Sequence, residues 1–401
     1  MSPRRPPSVF FGAIGRMGSA LLGVLLVVPC SCSQVLTADG LQGGVAGGVD
    51  AGDSPVDAPV DTAKDGVPGC GAFVVDCDGT DSNGCETDLR TDASHCGACG
   101  HSCLEGACLG GRCQPFTVAE DQDVPSLLMI DGTHLYWTNQ GGAGAVMRVE
   151  KDGGKAEVVG VTDHPPGGLA VDTEAVYWSE FGEPGTVWRL SKGEIGTATL
   201  PTALADGQGQ SIALALDGSN VYWCTPATVR TVPKSGGKVT TLARDQGVPF
   251  WIVVEGSFVF WTNTVSGQVM RVSMQDVDAG AAEIAGGQST PVGLATDPAN
   301  LYWANYEGSA GTPSILRLAK VNMQAPEVLA EGQLGPTAIR AHGSDLFWTN
   351  NLGGTIMRMP KVGGAPESIA EGQNGPAGIA VDAAAVYWVN RDDGRVMGVA
   401  R

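Results

Sequence analysis

The chain has 401 residues, a formal charge of −19 from 43 Asp and Glu against 24 Lys and Arg, 59 glycines, and 43% apolar residues. That acidity excludes binding to nucleic acid or anionic lipid through a basic footprint. The apolar share excludes a wholly disordered chain, and glycine without a G-X-Y period excludes collagen.

Residues 1–32 read as an export signal. Arg4, Arg5 and Arg16 precede an apolar run from Met17 to Val28, too short and too close to the start for a membrane span. Cys30 and Cys32 stand where the run ends. Val-Val-Pro-Cys-Ser-Cys resembles the lipobox of bacterial lipoproteins, and Cys32, preceded by Ser31, fits the lipid-bearing position better than Cys30 after Pro29. The usual Leu three residues before the Cys is replaced by Pro29. The expected address is therefore an exported one, either as a bacterial outer-membrane lipoprotein or in the extracellular space, with the membrane touched only through that anchor.

Residues 33–69 are rich in Gly, Val, Asp, Ala and Pro and carry no aromatic residue. Such a stretch buries too little apolar area to offset its ordering entropy. It reads as an extended, disordered tether.

Residues 70–114 hold eight cysteines: Cys70, Cys77, Cys85, Cys96, Cys99, Cys103, Cys108 and Cys113. An even number in an exported segment this short reads as a disulfide framework, since so small a core does not fold alone. The 105 pairings open to eight cysteines cannot be sorted from sequence. The run Cys96-Gly-Ala-Cys99-Gly-His-Ser-Cys103, followed by Cys108 and Cys113, resembles the Stig1-like cysteine-rich module, with a single Cys108 where that module often has a pair. His95 and His101 flank Cys96 and Cys99 and raise zinc as an alternative. Asp76, Asp78, Asp81, Asn83 and Glu86 gather oxygen ligands that would suit calcium. The EF-hand spacing fails, because Thr80 and Asp81 stand where that loop needs an acid or amide and then Gly. The competing reading is an acidic Asx-turn loop pinned by cystines.

Residues 115–401 are one repeat, seven times. Tyr136-Trp137, Tyr177-Trp178, Tyr222-Trp223, Phe260-Trp261, Tyr302-Trp303, Phe347-Trp348 and Tyr387-Trp388 recur at intervals of 41, 45, 38, 42, 45 and 40. A period near 40 means a solenoid or a propeller. The sixth unit resolves into four short strands separated by Gly, Asn and Asp turns, with nothing long enough for a helix. Four antiparallel strands per unit make a propeller blade. The last unit supplies three strands, and Phe116-Thr-Val-Ala-Glu120 matches the missing fourth, so an N-terminal strand is expected to close the ring. The fold class is all-β, a seven-bladed propeller plus a small disulfide-rich module.

The units resemble the YWTD and NHL propeller families, through Tyr177-Trp178-Ser179-Glu180, Leu301-Tyr302-Trp303-Ala304-Asn305 and Gly378-Ile-Ala-Val-Asp382. The resemblance implies a binding scaffold. It departs in using Asn where the tetrapeptide has Asp, and in having seven units instead of the six common among YWTD propellers.

Residues repeated in every unit serve the blade. Asp131, Asp172, Asp217, Asp297 and Asp382, with Glu255 and His342 in the same place, open a turn six residues before each Trp. Arg148, Arg189, Arg271, Arg317 and Arg358 recur on third strands as solvated or ion-paired positions; Gly398 replaces them in the last unit. Two residues after each Trp come Asn139, Glu180, Thr225, Asn263, Asn305, Asn350 and Asn390. They are expected to ring the channel mouth, joined by Gln122, His164, Gln246, Gln288, Gln333 and Gln373 from the fourth-to-first loops. The competing reading has Asn capping its own turn and Gln bonding the next blade's backbone. Glu180, Cys224, Thr225 and His164 break the pattern, beside Phe181, Trp188 and Trp251, so a ligand site is expected in units two to four.

Three functions follow from these features. The first is a monomeric, non-enzymatic binding protein of the cell envelope, taking a protein or carbohydrate partner. The second is a metal-dependent lyase or lactonase-like enzyme, with Glu180, Asn305 and Asn350 around an ion and His164 as base; no nucleophile elbow, HExxH or phosphate loop is present. The third is a purely structural surface protein.

Overall fold

Seven four-stranded antiparallel sheets follow one another around a ring. The computed structural model describes residues 70–80, 84–142, 144–306 and 312–401. The signal, the tether and Cys32 lie outside the described residues, as do Asp81 and Asn83. Blade one spans residues 125–161, two 166–205, three 214–243, four 249–285, five 291–331 and six 336–370. Blade seven takes Pro376–Val381, Ala385–Asn390 and Arg395–Ala400 from the C-terminal end and Phe116–Ala119 as its fourth strand. The register is Val396 opposite Ala119, Met397 opposite Thr117 and Gly398 opposite Phe116. The expected closure is therefore present. It also explains Gly398: a Cβ there would lie 2.7 Å from the Phe116 ring, which occupies the room an Arg uses in other blades.

Burial is greatest on the second strand of each blade. The second strand, such as Ala385–Asn390, is buried on both faces because neighbouring blades cover it. The third alternates and the fourth is largely exposed, as in Ala145–Glu150 and Glu157–Val161. All seven repeat Trp side chains are under 2% exposed. Each removes on the order of 200 Å² from water, about 5 kcal/mol by area before ordering costs. First strands contact the first strands of both neighbours all round the ring, so they line a central channel. Small residues let them meet: a Cβ on Gly293 would lie 2.1 Å from the Thr337 carbonyl oxygen, and one on Gly378 would lie 2.4 Å from that of Ser126.

On one face the turn acids do as expected and more. Asp131 Oδ1 accepts the N–H groups of Thr133 and His134, and its Oδ2 accepts the Tyr136 hydroxyl. A lysine from the next blade then pairs with it. Lys192 reaches Asp131 at 2.6 Å, Lys234 reaches Asp172 at 2.8 Å, Lys361 reaches Asp297 at 3.2 Å and Lys151 reaches Asp382 at 2.7 Å. Burial alone would raise these carboxyls. The lysine and backbone donors outweigh it, and all four end below the ordinary carboxylate range, Asp172 at about 2.

Residues 71–401 form one compact unit. In its N-terminal part, disulfides join Cys77 to Cys99, Cys96 to Cys108 and Cys103 to Cys113, and Cys85 is also disulfide-bonded, as is Cys70 outside this unit. These sulfurs are not thiolates, so the zinc alternative has no cysteine ligands to use. His95 Nδ1 accepts the Gly100 N–H instead, and the His101 ring bridges the Cys96 and Arg401 carbonyl oxygens at 2.7 and 2.8 Å. This bridge ties the cysteine module to the last residue of the propeller. Such a density of disulfides fits an extracellular or exported protein, and no helix among the described residues is long and apolar enough to cross a membrane.

Candidate functional site

The loops joining second to third strands share a face with those joining fourth to first. Gln122 N–H, for example, donates to the Gly394 carbonyl oxygen at 2.8 Å, and Gln373 N–H to that of Gly354 at 2.9 Å. All seven expected ring residues sit on this mouth face, and all are buried: Asn139, Glu180, Thr225, Asn263, Asn305, Asn350 and Asn390 are each 9% exposed or less.

Five of the seven belong to a recurring clamp. A Gln at the end of one blade's outer strand offers Oε1 to two donors on the second strand of the next blade. Trp137, Trp261, Trp303, Trp348 and Trp388 Nε1 donate to Gln122, Gln246, Gln288, Gln333 and Gln373 at 2.9–3.1 Å. Asn139, Asn263, Asn305, Asn350 and Asn390 Nδ2 donate to the same oxygens at 3.0–3.2 Å. Each Gln Nε2 donates to the carbonyl two residues earlier in its own chain. One side chain thus satisfies a buried indole N–H and fixes the angle between blades. The expected Gln bond to the next blade's backbone is replaced by bonds to its Trp and Asn side chains. What the clamp leaves over is the amide oxygen. Oδ1 of Asn263, Asn305, Asn350 and Asn390 is buried without a hydrogen-bond partner among the described residues.

Blades two and three lack the clamp. The Gln precedes its Trp by fifteen residues, and that position before Trp178 is Asp163, not His164. Asp163 is exposed and uses its backbone N–H to meet Glu180 Oε1 at 3.3 Å. His164, one residue on, lies with its ring over Gly182, where a Cβ would come within 2.2 Å of Cγ. In blade three the position is Gln208, which the repeat reading did not single out; its Oε1 accepts from Arg230 at 2.9 Å. Thr225 hydrogen-bonds Thr228 locally. Trp178 Nε1 and Trp223 Nε1 are left buried without a partner among the described residues.

A second device is present in three blades and absent from blades two, three, five and seven. The residue after the Trp is Thr in blades one, four and six. Thr262 Oγ1 accepts the Trp251 N–H at 3.2 Å and donates to the Val292 carbonyl of the next blade at 3.0 Å. Thr349 likewise joins Ala338 N–H to the Ala377 carbonyl, and Thr138 accepts from Leu127. Blade two has Ser179 there, and blade three Cys224. Ser179 Oγ is buried and unpaired, as is Ser211 Oγ. Cys224 is a free, buried cysteine whose thiol burial pushes far up, leaving it inert. The bridging Thr residues were missed in the sequence because the position reads Thr, Ser, Cys, Thr, Ala, Thr, Val around the ring.

Nearer the channel, Gln140, Thr264 and Asn351 bond the first carbonyl of the next inner strand, at Pro166, Pro291 and Pro376. The equivalent residue in blade seven is Arg391. It donates to Gln140 at 3.3 Å, and desolvation pulls its guanidinium below the ordinary value against the opposing pull of Asp392.

Two further expected groupings have a place in the structure. Glu180 lies in blade two and Asn305 and Asn350 in blades five and six, where their Nδ2 atoms are committed to the clamp. Among the described residues, the clusters of three His, Cys, Asp or Glu ligand atoms include neither Glu180 nor His164. Asp76, Asp78 and Glu86 do gather, with ligand oxygens within 4.8 Å of one another. Their oxygens accept local backbone N–H groups: Asp76 from Gly79, Asp78 from Thr80, Glu86 from Cys77.

Comparison with solved structures recovers the fold. A catalytically inactive histidine-to-alanine variant of virginiamycin B lyase from Staphylococcus aureus, with quinupristin, is 15% identical with a TM-score of 0.60, over 72% of this chain and 98% of that one. The computationally designed Ika8 protein is 15% identical with a TM-score of 0.53, over 74% and 89%. The Pan2 WD40 domain of Neurospora crassa is 10% identical with a TM-score of 0.55, over 69% and 89%. At these identities the likeness is one of fold alone. No protein-family profile and no curated protein matches the chain.

Proposed function

We propose that the chain is an exported binding protein that holds a partner against the mouth face over blades two and three. The observation that supports this reading is the loss of the Gln clamp from one arc of the ring. Trp178 Nε1 and Trp223 Nε1 are buried without a partner among the described residues, as are Ser179 Oγ and Ser211 Oγ in the same two blades, and Glu180 is buried in blade two. Buried polar groups left unpaired cost stability, and a chain that pairs the repeat Trp indole N–H in five other blades has no folding reason to leave two of them so. Sites that break local rules are where function is to be sought. The partner would be an envelope protein or carbohydrate offering both acceptors and donors. Cys32 would carry a lipid and residues 33–69 would serve as a tether, holding a monomeric propeller off a bacterial outer membrane.

The test is to restore the clamp. The double variant Asp163→Gln, Glu180→Asn supplies the two side chains that blade two lacks. Binding of the full chain to outer-membrane vesicles and to purified peptidoglycan is expected for the natural sequence and reduced at least about tenfold in the variant, the equivalent of about 1.4 kcal/mol. Equal binding by both proteins would remove the arc as the site.

A further inference from the structure

The channel itself carries a second feature, separate from the arc of blades two and three. Along the seven inner strands the ionisable residues are Glu255, Arg340 and His342. Glu255 and His342 end their strands, at the turn facing away from the mouth. Arg340 alone lies within a strand, among positions filled elsewhere by Ala, Val and Met.

Its side chain crosses the hole. Cζ lies 5.5 Å from the centroid of the Trp251 ring on blade four. Nη2 lies 4.0 Å from Sδ of Met129 on blade one. Blades four and one are each two places from blade six, on opposite sides, so a group that meets both stands on the channel axis. Trp251 is the bulky member of its level, where the equivalent residues include Gly168 and Gly378. Arg340, Trp251 and Met129 each keep part of their surface open although they sit mid-molecule.

The guanidinium has five N–H donors. One meets a backbone oxygen, its own neighbour Ile339, at 3.0 Å. No carboxylate pairs with it among the described residues, and desolvation without any compensating charge pulls it down to about 10. It therefore stays charged at neutral pH. A charge taken from water in this way calls for an opposite charge and hydrogen bonds to its free donors. The fork of a guanidinium matches a carboxylate two donors to two oxygens. One cation asks for one negative charge, and the Trp, Met, Val and Ala around it ask for an apolar body.

We propose that the central channel is a binding site for a small organic monocarboxylate, whose carboxylate meets Arg340 and whose apolar part lies against Trp251 and Met129. The net charge of −19 repels anions at a distance, so recognition depends on this local contact.

The test titrates the full chain with sodium acetate, sodium butyrate and sodium chloride at matched ionic strength, read by indole fluorescence and calorimetry. Butyrate is expected to bind saturably at one site per chain, more tightly than acetate and at least about tenfold more tightly than chloride. Arg340→Gln is expected to lose the response, and Arg244→Gln, at an exposed position, to keep it. A fold check by circular dichroism accompanies each variant. Should Arg340→Gln fail to fold, a crystal of the natural sequence soaked in 4-bromobenzoate replaces it, with the bromine signal expected within the channel beside Trp251. Equal responses to chloride and butyrate, an unchanged response in folded Arg340→Gln, or a channel without bromine would each overturn the proposal. None of these outcomes bears on partner binding over blades two and three.

Discussion

Blades four to seven and one form one arc of the ring, and blades two and three another. Both bury the repeat Trp, carry a Tyr or Phe beside it and pair their strands in the same order. They differ in what happens to the indole N–H. In the long arc it meets a Gln from the preceding blade; in the short arc it meets nothing among the described residues. The comparison separates two layers of information in a repeat. Packing of the ring needs only the shape of the aromatic pair, so all seven units keep it. Exact angular fixation needs a polar clamp, so a unit can give that up without leaving the ring.

The largest effect is expected from attacking the join of the long arc. Deleting residues 116–122 removes the fourth strand of blade seven and the Gln122 clamp of blade one together. The loss of buried Phe116 and Val118 with their strand bonds is expected to cost at least about 5 kcal/mol, on the order of 10 °C in the thermal midpoint. A midpoint within a degree or two of the intact chain would contradict closure through this strand.

Next is Gln333→Leu against Gln208→Leu. The first strands two buried donors, Trp348 Nε1 and Asn350 Nδ2, at about 2–4 kcal/mol by denaturant unfolding. The second loses a bond to Arg230, at about 0.5–1 kcal/mol. Similar losses in both would erase the distinction between arcs. Restoring the clamp with Asp163→Gln, Glu180→Asn is expected to raise stability by about 1 kcal/mol, since it pairs Trp178 Nε1.

The smallest contrast concerns acid. Asp131, Asp172, Asp297 and Asp382 sit below the ordinary carboxylate range in the folded chain. Their contribution is therefore complete above about pH 4, where they are also ionised when unfolded, and is lost as the pH falls toward 2. Ellipticity should hold to about pH 4 and then fall. Lys192→Met should flatten that fall by removing one lace, whereas a loss beginning near pH 6 would point to other groups.

Much of the fold was legible because every unit repeats it. The seven aromatic-Trp pairs gave the period, and Phe116-Thr-Val-Ala119 gave the closure. The site was less legible. The Gln and Asn positions stood out, but their meeting on one oxygen joins residues fifteen and seventeen apart across two blades, which a linear pattern does not show. His164 drew notice because it is a rare residue, yet the count of fifteen before Trp178 falls on Asp163, and Thr162 makes the backbone bond to the preceding blade's loop that the Gln makes elsewhere. Arg340 sat inside an apolar strand, Pro336-Thr-Ala-Ile-Arg-Ala, and strand alternation alone does not say which inner residues face a channel. Only the closed ring brings it to Trp251.

The most direct test of the two-arc account is hydrogen exchange at the indole nitrogens, followed in a chain labelled with ¹⁵N-tryptophan and assigned by single Trp→Phe variants. The account predicts strong protection of Trp137, Trp261, Trp303, Trp348 and Trp388, with Trp178 and Trp223 exchanging faster by about tenfold or more. Equal protection at all seven would contradict it.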